Sequence, residues 1–288
     1  MSTASTPSSR PDTPGRVWFI TGSSSGLGRA LAQAVLERGE TLVATARDRS
    51  TVADLTGEAG DRALALDLDV TDPAAVRRAV DAALETFGRI DVLVNNAGYA
   101  LRGALEEITD RELRHQFDTN VFGAVDVVRA VLPTMRARRS GHIVQLSSIS
   151  GVITKLGNTA YAGSKFALEG LSEGLAAEVA PLGIGVTIVE PGPFRTDFGG
   201  RSVRWAAPID DYRPAQEPAR ADFLARHGDE PGDPALAGRA VIAALDLDDP
   251  PLRLPLGGPA FDLLRDRLRA RLDELDRLEP LGRDTDFR

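Results

Sequence analysis

Short runs of β-branched and other apolar residues alternate with longer helical patterns along most of this chain, and that alternation admits few folds. Strands that read as continuously apolar are buried on both faces. Helices spaced between them supply the crossovers of a parallel sheet. The runs at Val17–Ile20, Thr41–Thr45, Ala63–Leu66, Ile90–Val94, His142–Leu146, Gly185–Val189 and Leu252–Leu256 are the expected strands. Helices are expected over Leu27–Arg38, Val52–Glu58, Pro73–Phe87, Asp110–Arg138 with a break at Pro133, Thr159–Val179, Ala235–Leu245 and Pro259–Leu278. The fold class is therefore a single doubly wound α/β domain of Rossmann type, with a mostly parallel, roughly seven-stranded sheet. Within the 288 residues a disordered tail is expected over 1–14 and one domain over 15–288. The segment 197–234, dense in Pro, Arg and Asp with scattered aromatics, interrupts the pattern and is expected to be an irregular lid over the substrate.

Composition narrows the function classes. No cysteine is present, which excludes disulfides, thiol catalysis and cysteine-ligated metal sites, and fits a reducing, cytoplasmic setting. The formal charge of −8 argues against a nucleic-acid partner. No run of apolar residues is long enough for a membrane span. His115, His142 and His227 are far apart and lack ligand spacing; His142 starts a strand and reads as a satisfied edge residue rather than a ligand.

The turn Thr21-Gly22-Ser23-Ser24-Ser25-Gly26-Leu27-Gly28 lies between the first strand and the first helix. Glycines there let the backbone turn sharply and approach a ligand, and N–H groups opening a helix face an anion. A pyrophosphate is the natural occupant; a tight turn without a ligand is the alternative. Farther on, Tyr161 and Lys165 stand four apart in a helical stretch, about 5–6 Å from each other at Cβ. Taken alone, that pair is equally an exposed surface feature.

The glycine turn, the Asn95-Asn96-Ala97-Gly98 element, Ser148, and the Tyr161-Ala162-Gly163-Ser164-Lys165 stretch together resemble the short-chain dehydrogenase/reductase family, over Val17 to about Leu256. The resemblance implies a nicotinamide-dependent oxidoreductase interconverting a carbonyl and an alcohol, with no metal. It implies Tyr161 as general acid/base, Lys165 as the group that lowers its pKa and binds the nicotinamide ribose, Ser148 on the substrate oxygen, and Asn120 holding a proton-relaying water. Cofactor contacts are implied for Gly22, Ser24, Ser25, Gly26, Leu27, Gly28, Asp69, Val70, Asn96, Ala97, Gly98, Tyr161, Lys165, Pro191, Gly192 and Thr196.

Arg47, at the end of the second strand, falls where family members using the phosphorylated cofactor carry a basic residue, so NADP is expected over NAD. A surface Arg47 paired with Asp48 is the alternative. Pairing of the fourth and fifth long helices implies a homodimer or homotetramer. The leucine stripe Leu263, Leu264, Leu268, Leu272 and Leu275 is core or contact. Two other readings share the fold: a non-catalytic NADP-binding sensor, and an epimerase or dehydratase with retained cofactor.

A functioning tyrosine base imposes a physical demand. Its free pKa is near 10, and lowering it by about three units takes roughly 4 kcal/mol. An exposed ion pair supplies at most about 1 kcal/mol. The pocket has to be water-poor, with cations close to the phenol.

Overall fold

The computed structural model describes residues 15–57 and 59–287, so the tail expected over 1–14 lies outside the described residues. In chain order the elements are β1 (Val17–Ile20), α1 (Gly26–Glu37), β2 (Thr41–Ala46), α2 (Ala53–Gly57), β3 (Ala63–Asp67), α3 (Pro73–Phe87), β4 (Val92–Asn95), β5 (Ala100–Arg102), α4 (Asp110–Phe117), α5 (Gly123–Arg138), β6 (Gly141–Leu146), α6 (Thr159–Val179), β7 (Ile184–Pro191), α7 (Phe198–Arg201), β8 (Val203–Trp205), α8 (Arg213–Ala225), α9 (Pro234–Leu245), β9 (Arg253–Leu256) and α10 (Gly258–Arg283).

Seven strands pair in the order β3-β2-β1-β4-β6-β7-β9, and every pairing is parallel. The chain starts in the middle, winds outward to β3, then returns across β1 to build the other half. Because all seven run the same way, their carboxyl ends share one edge. The reversal of winding opens a crevice there, between β1 and β4.

Both faces of the sheet are covered, and β1 shows how. Trp18 and Ile20 point into one core with Leu31, Val35, Val241 and Ile242 of α1 and α9. Val17 and Phe19 point into the other with Val76, Val80, Val127 and Val131 of α3 and α5. Successive side chains face opposite ways on a strand, so a run buried on both faces must be apolar at every position.

Helix α1 begins immediately after the glycine turn. α3 starts with Pro73 in its first turn, and the Asp72 carboxylate caps it by accepting from Ala74 N–H at 2.8 Å. Across the sheet face α1 and α9 lie in close contact: a Cβ at Gly238 would sit 2.9 Å from the Ala30 carbonyl and 3.0 Å from Leu31 Cα.

The expectations differ from the fold in three places. The helix expected over Asp110–Arg138 is interrupted by a π-turn at Asp118–Phe122 and runs straight through Pro133. Pro133 lies on the exposed side of α5. The real constraint is Gly123, whose missing side chain lets the chain pass Val70; a Cβ there would meet Val70 Cγ2 at 2.8 Å.

Segment 197–234 is not irregular: it contains α7, β8 and α8, and β8 pairs with β5 in a separate two-stranded sheet. Pro214 falls in the first turn of α8, and Pro218 sits inside it, which disguised the helix.

His142 is on an inner strand, between β4 and β7, rather than at an edge. Its Nε2 lies 2.9 Å from Thr187 Oγ1, and burial, with Arg16 nearby, pushes it down to about 4.

In α10, Leu264 is buried while Leu268, Leu272 and Leu275 are exposed. Among the described residues no helix is long and apolar enough to cross a membrane.

Enlarging Gly238 tests the contact of α1 with α9. Gly238→Val is expected to cost about 2 kcal/mol through overpacking, lowering the thermal unfolding midpoint by roughly 4–8 °C. Calorimetry showing an unchanged midpoint would contradict the close approach.

Candidate active site

The carboxyl edge of the sheet opens into a cleft with a volume of about 870 Å³. One end is the glycine turn. Gly22 and Gly26 adopt φ of 69° and 60°, and a Cβ on Gly22 would press against Ala97 Cα at 3.0 Å. Ser25 stands at the N-cap of α1 with no side-chain hydrogen bond to the helix, so its side chain caps none of the first N–H groups. Gly28 is set back from the cleft and admits Asn96, whose Nδ2 would otherwise meet its Cβ at 2.2 Å. Asn96 donates from Nδ2 to the carbonyls of Thr21 (2.9 Å) and Gly22 (2.8 Å). Thr21 Oγ1 in turn accepts from the N–H groups of Asn96 (2.9 Å) and Ala97 (3.0 Å).

Along the same wall lie Ser24, Leu27, Arg47, Asp69, Val70 and Gly98. Arg47 is exposed at the end of β2, and its neighbour Asp48 turns its carboxylate to Ser50 N–H at 2.9 Å. Hydrogen bonding from the Ser50 side chain, and then from this N–H, lowers the Asp48 pKa, and among the described residues no carboxylate comes within ion-pair distance of Arg47. An unpaired guanidinium at the mouth, glycines where a backbone must approach closely, and the open start of a helix are together what a dinucleotide requires.

At the other end Tyr161 and Lys165 project from one face of α6. Both are buried, at 8% and 6% exposure, yet both line the cleft. Lys165 Nζ lies 5.8 Å from the Tyr161 ring centroid and donates to the Leu146 carbonyl at 2.5 Å. Ser148, at the end of the β6 crossover, is the hydrogen-bonding neighbour of the phenol. Its Oγ also accepts from Ser150 N–H at 3.0 Å. Burial pushes the Tyr161 pKa up; the Ser148 hydrogen bond and then the charge of Arg102 pull it back. Burial pushes Lys165 down to about 8, against the attraction of Glu169. The water-poor setting demanded by the sequence argument is present, and the cation acting on the phenol is one the sequence did not single out. Pro191, Gly192 and Thr196 complete this side, with Phe198 6.0 Å from the Tyr161 ring.

Asn120 stands apart. It is 2% exposed in the π-turn behind the cleft wall. Its Nδ2 donates to the Tyr99 carbonyl (2.9 Å) and Ser164 Oγ (3.1 Å), and its Oδ1 accepts from Tyr99 N–H (3.1 Å). No side-chain donor is left for a relaying water.

Beneath Lys165 lies a buried charge cluster that sequence reading did not anticipate. Glu169 is one helical turn farther along α6, Glu190 is on β7, and both face Arg253 of β9 at 3.4 and 3.5 Å. Glu173 ties the same arginine to the surface at 2.6 Å. Burial, reinforced by Glu169, raises Glu190 to about 7; burial also raises Glu169. Arg102, Phe223 and Arg226 also line the cleft, the last two from α8 and the loop after it.

A family model for short chain dehydrogenases matches residues 16–207, about two-thirds of the chain. The chain belongs to the short-chain dehydrogenase family. Among the relatives of this dehydrogenase, the oxidoreductase BOA17 of Botryotinia fuckeliana is 42% identical over 249 residues, covering 86% of this chain and 90% of that one. A short-chain dehydrogenase of known structure from Streptomyces avermitilis is 46% identical, with a TM-score of 0.90 over 95% of this chain and 100% of its own. Structures of family members from Burkholderia phymatum with NAD (25% identity, TM-score 0.79, covering 91% and 95% of the two chains) and from Burkholderia cenocepacia with NADP (26%, 0.71, 92% and 97%) also superimpose on this dehydrogenase. It is an oxidoreductase.

The cluster beneath Lys165 yields a pH-dependent expectation. A carboxyl raised from 4.5 to about 7 on folding stabilises the fold fully below about pH 4.5, and that contribution is lost as pH rises through about 7. Glu190→Gln mimics the protonated form. The melting temperature of the variant is expected to match the parent near pH 5 and exceed it near pH 8. A gap that stays constant across this range would place the titration elsewhere.

Proposed function

We propose that this dehydrogenase interconverts a carbonyl and an alcohol using NADP(H), with Tyr161 as the general acid/base. The observation that carries this reading is the burial of the Tyr161–Lys165 face of α6 in the same cleft as the glycine turn.

When bound, the nicotinamide supplies or accepts the hydride. The residues of the chain do the rest. Gly22, Ser24, Ser25, Gly26 and Leu27, with the start of α1, hold the diphosphate, and Gly28 lets Asn96 lock their turn in place. Arg47 grips a 2′-phosphate, which an acidic residue there would repel. Asp69 and Val70 would flank the adenine. Asn96, Ala97 and Gly98 would form the floor under the dinucleotide, and Pro191, Gly192 and Thr196 would meet the nicotinamide. Lys165 would hold the nicotinamide ribose.

Ser148 and Tyr161 hydrogen-bond the substrate oxygen. Burial keeps the phenol protonated, which suits donation of its proton to the oxygen as a carbonyl is reduced. In the reverse direction the phenolate must be stabilised, and the nearby charges of Arg102 and Lys165 serve that purpose. Asn120 is a positioning residue: it fixes the Tyr99 backbone and Ser164, and so the wall against which α6 packs. Segment 197–234 closes over the substrate as a structured lid. Exposed Phe122, Phe166 and Leu171 on and beside α5 and α6 support pairing of these helices in a homodimer or homotetramer.

Two variants test the assignment. Tyr161→Phe is expected to lower kcat on any accepted carbonyl about a thousand-fold or more, with NADPH binding, followed by its fluorescence, little altered. Comparable turnover in that variant would falsify the acid/base role. Arg47→Ala is expected to reduce the ratio of kcat/KM with NADPH to that with NADH about 30-fold. An unchanged ratio, measured at the reduced-nicotinamide absorbance, would assign cofactor choice to other residues.

A further inference from the structure

The substrate half of the cleft holds a cation whose charge bears on Tyr161 but whose hydrogen-bond donors none of the preceding roles engages. Arg102 ends β5, and its backbone pairs with Trp205 of β8. Its guanidinium carbon lies 4.0 Å from the Phe223 ring centroid and 6.0 Å from that of Trp205. These two rings meet edge to face at 5.9 Å, and Arg220 covers the other ring, 4.6 Å from Trp205. Arg102 is half-buried and lines the cleft, near enough to Tyr161 for its charge to bias the phenol. Among the described residues no carboxylate lies within ion-pair distance of it, and its buried Nε has no hydrogen-bond partner.

A half-buried arginine in such a position is anomalous. Burial opposes its charge, and the aromatic rings return part of that cost through their quadrupoles. They offer no lone pairs to the in-plane donors, and a buried donor left without a hydrogen bond is unfavourable. Of the other arginines lining this end, Arg226 pairs with Asp222 at 2.6 Å and Arg201 with Asp197 at 3.6 Å, while Arg204 stacks on Tyr99 at 4.8 Å. On a chain of net charge −8, carboxylates were available to pair Arg102 and none does.

We propose that Arg102 is the anchor for a carboxylate carried by the substrate, so that this dehydrogenase acts on keto acids or the corresponding hydroxy acids with an apolar body. The proposal rests on the carbonyl–alcohol reading of the site. A planar carboxylate entering from the cleft takes two charge-assisted hydrogen bonds from the Nη–H donors of the guanidinium. Phe198 and Phe223 then flank the apolar portion, and the reacting oxygen meets Ser148 and Tyr161. The same contact has an electrostatic consequence. A carboxylate on Arg102 offsets its pull on Tyr161, so the phenol keeps its proton more firmly when an acid is bound, which favours reduction.

The test uses 4-oxo-4-phenylbutanoate and its methyl ester as ketone substrates with NADPH. Calorimetric titrations of 4-phenylbutanoate and 4-phenylbutanamide into the enzyme with NADP run alongside, on the parent, Arg102→Gln and Arg102→Lys. The parent is expected to prefer the acid, and Arg102→Gln to lower the acid-to-ester ratio of kcat/KM about 30-fold. Arg102→Lys, which keeps the charge but not the fork, is expected to restore only part of the ratio. Equal losses on acid and ester would show that Arg102 merely braces α8, and would overturn the proposal. If neither ketone is reduced, the titrations decide. Tighter binding of the carboxylate than of the amide, lost in Arg102→Gln, supports the anchor while the carbonyl-reduction reading fails. Indistinguishable binding overturns the anchor. Turnover of the ester without any acid preference keeps the reading and removes the anchor.

Discussion

Asn96 fastens the carboxyl ends of β1 and β4 together, and the cleft is shaped by that fastening. Its side-chain amide donates to two successive carbonyls of the glycine turn, while Thr21 returns the favour to the backbone of Asn96 and Ala97. These are the strand ends between which the winding of the sheet reverses. A crevice at such a point would otherwise be lined by mobile loops. Here the loop is tied to the neighbouring strand, and Gly28 is what makes room: any side chain at that position would occupy the place of the amide. The conformation of Gly22 and Gly26, the start of α1 and the floor at Ala97 and Gly98 follow from this one arrangement.

The opposite side of the cleft is governed by desolvation. Tyr161, Lys165, Glu169 and Glu190 are all nearly out of reach of water. Burial favours the neutral form of every one of them, raising the phenol and the carboxyls and lowering the amine. The charges that resist are arginines on other elements: Arg253 from the last strand of the sheet, Arg102 from the small sheet. In the proposed reaction the protonation of Tyr161 would depend on a column of groups that runs from the cleft through Lys165 to the surface at Glu173, rather than on the tyrosine and lysine alone.

Much of this was legible in the chain itself. The glycine turn, the alternation of strands and helices, and the four-residue spacing of Tyr161 and Lys165 are short-range features, and the alternation implies a parallel sheet covered on both faces. The elements that were misjudged are those in which local signals compete with packing. Pro133 suggested a break, but an exposed proline in a long helix is tolerated, whereas Gly123 marks the true irregularity because Val70 packs against it. Pro214 and Pro218 with their charged neighbours disguised α8, which is held by its aromatic contacts with β8 rather than by propensity. His142 looked like an edge residue because position in a sheet is not a local property.

By itself the sequence determined the class of fold, the glycine turn and the helical face that presents the phenol and the amine, because each depends on dihedral preferences and periodicities within a few residues. Tertiary structure alone decided that Arg102, Phe223 and Trp205 would meet, that Glu190 and Arg253 would lie under Lys165, and that Asn120 would face the backbone instead of the cleft. These partners come from separate crossovers far apart in the chain. Their energies depend on how much water is excluded where the elements converge, and no stretch of sequence carries that quantity.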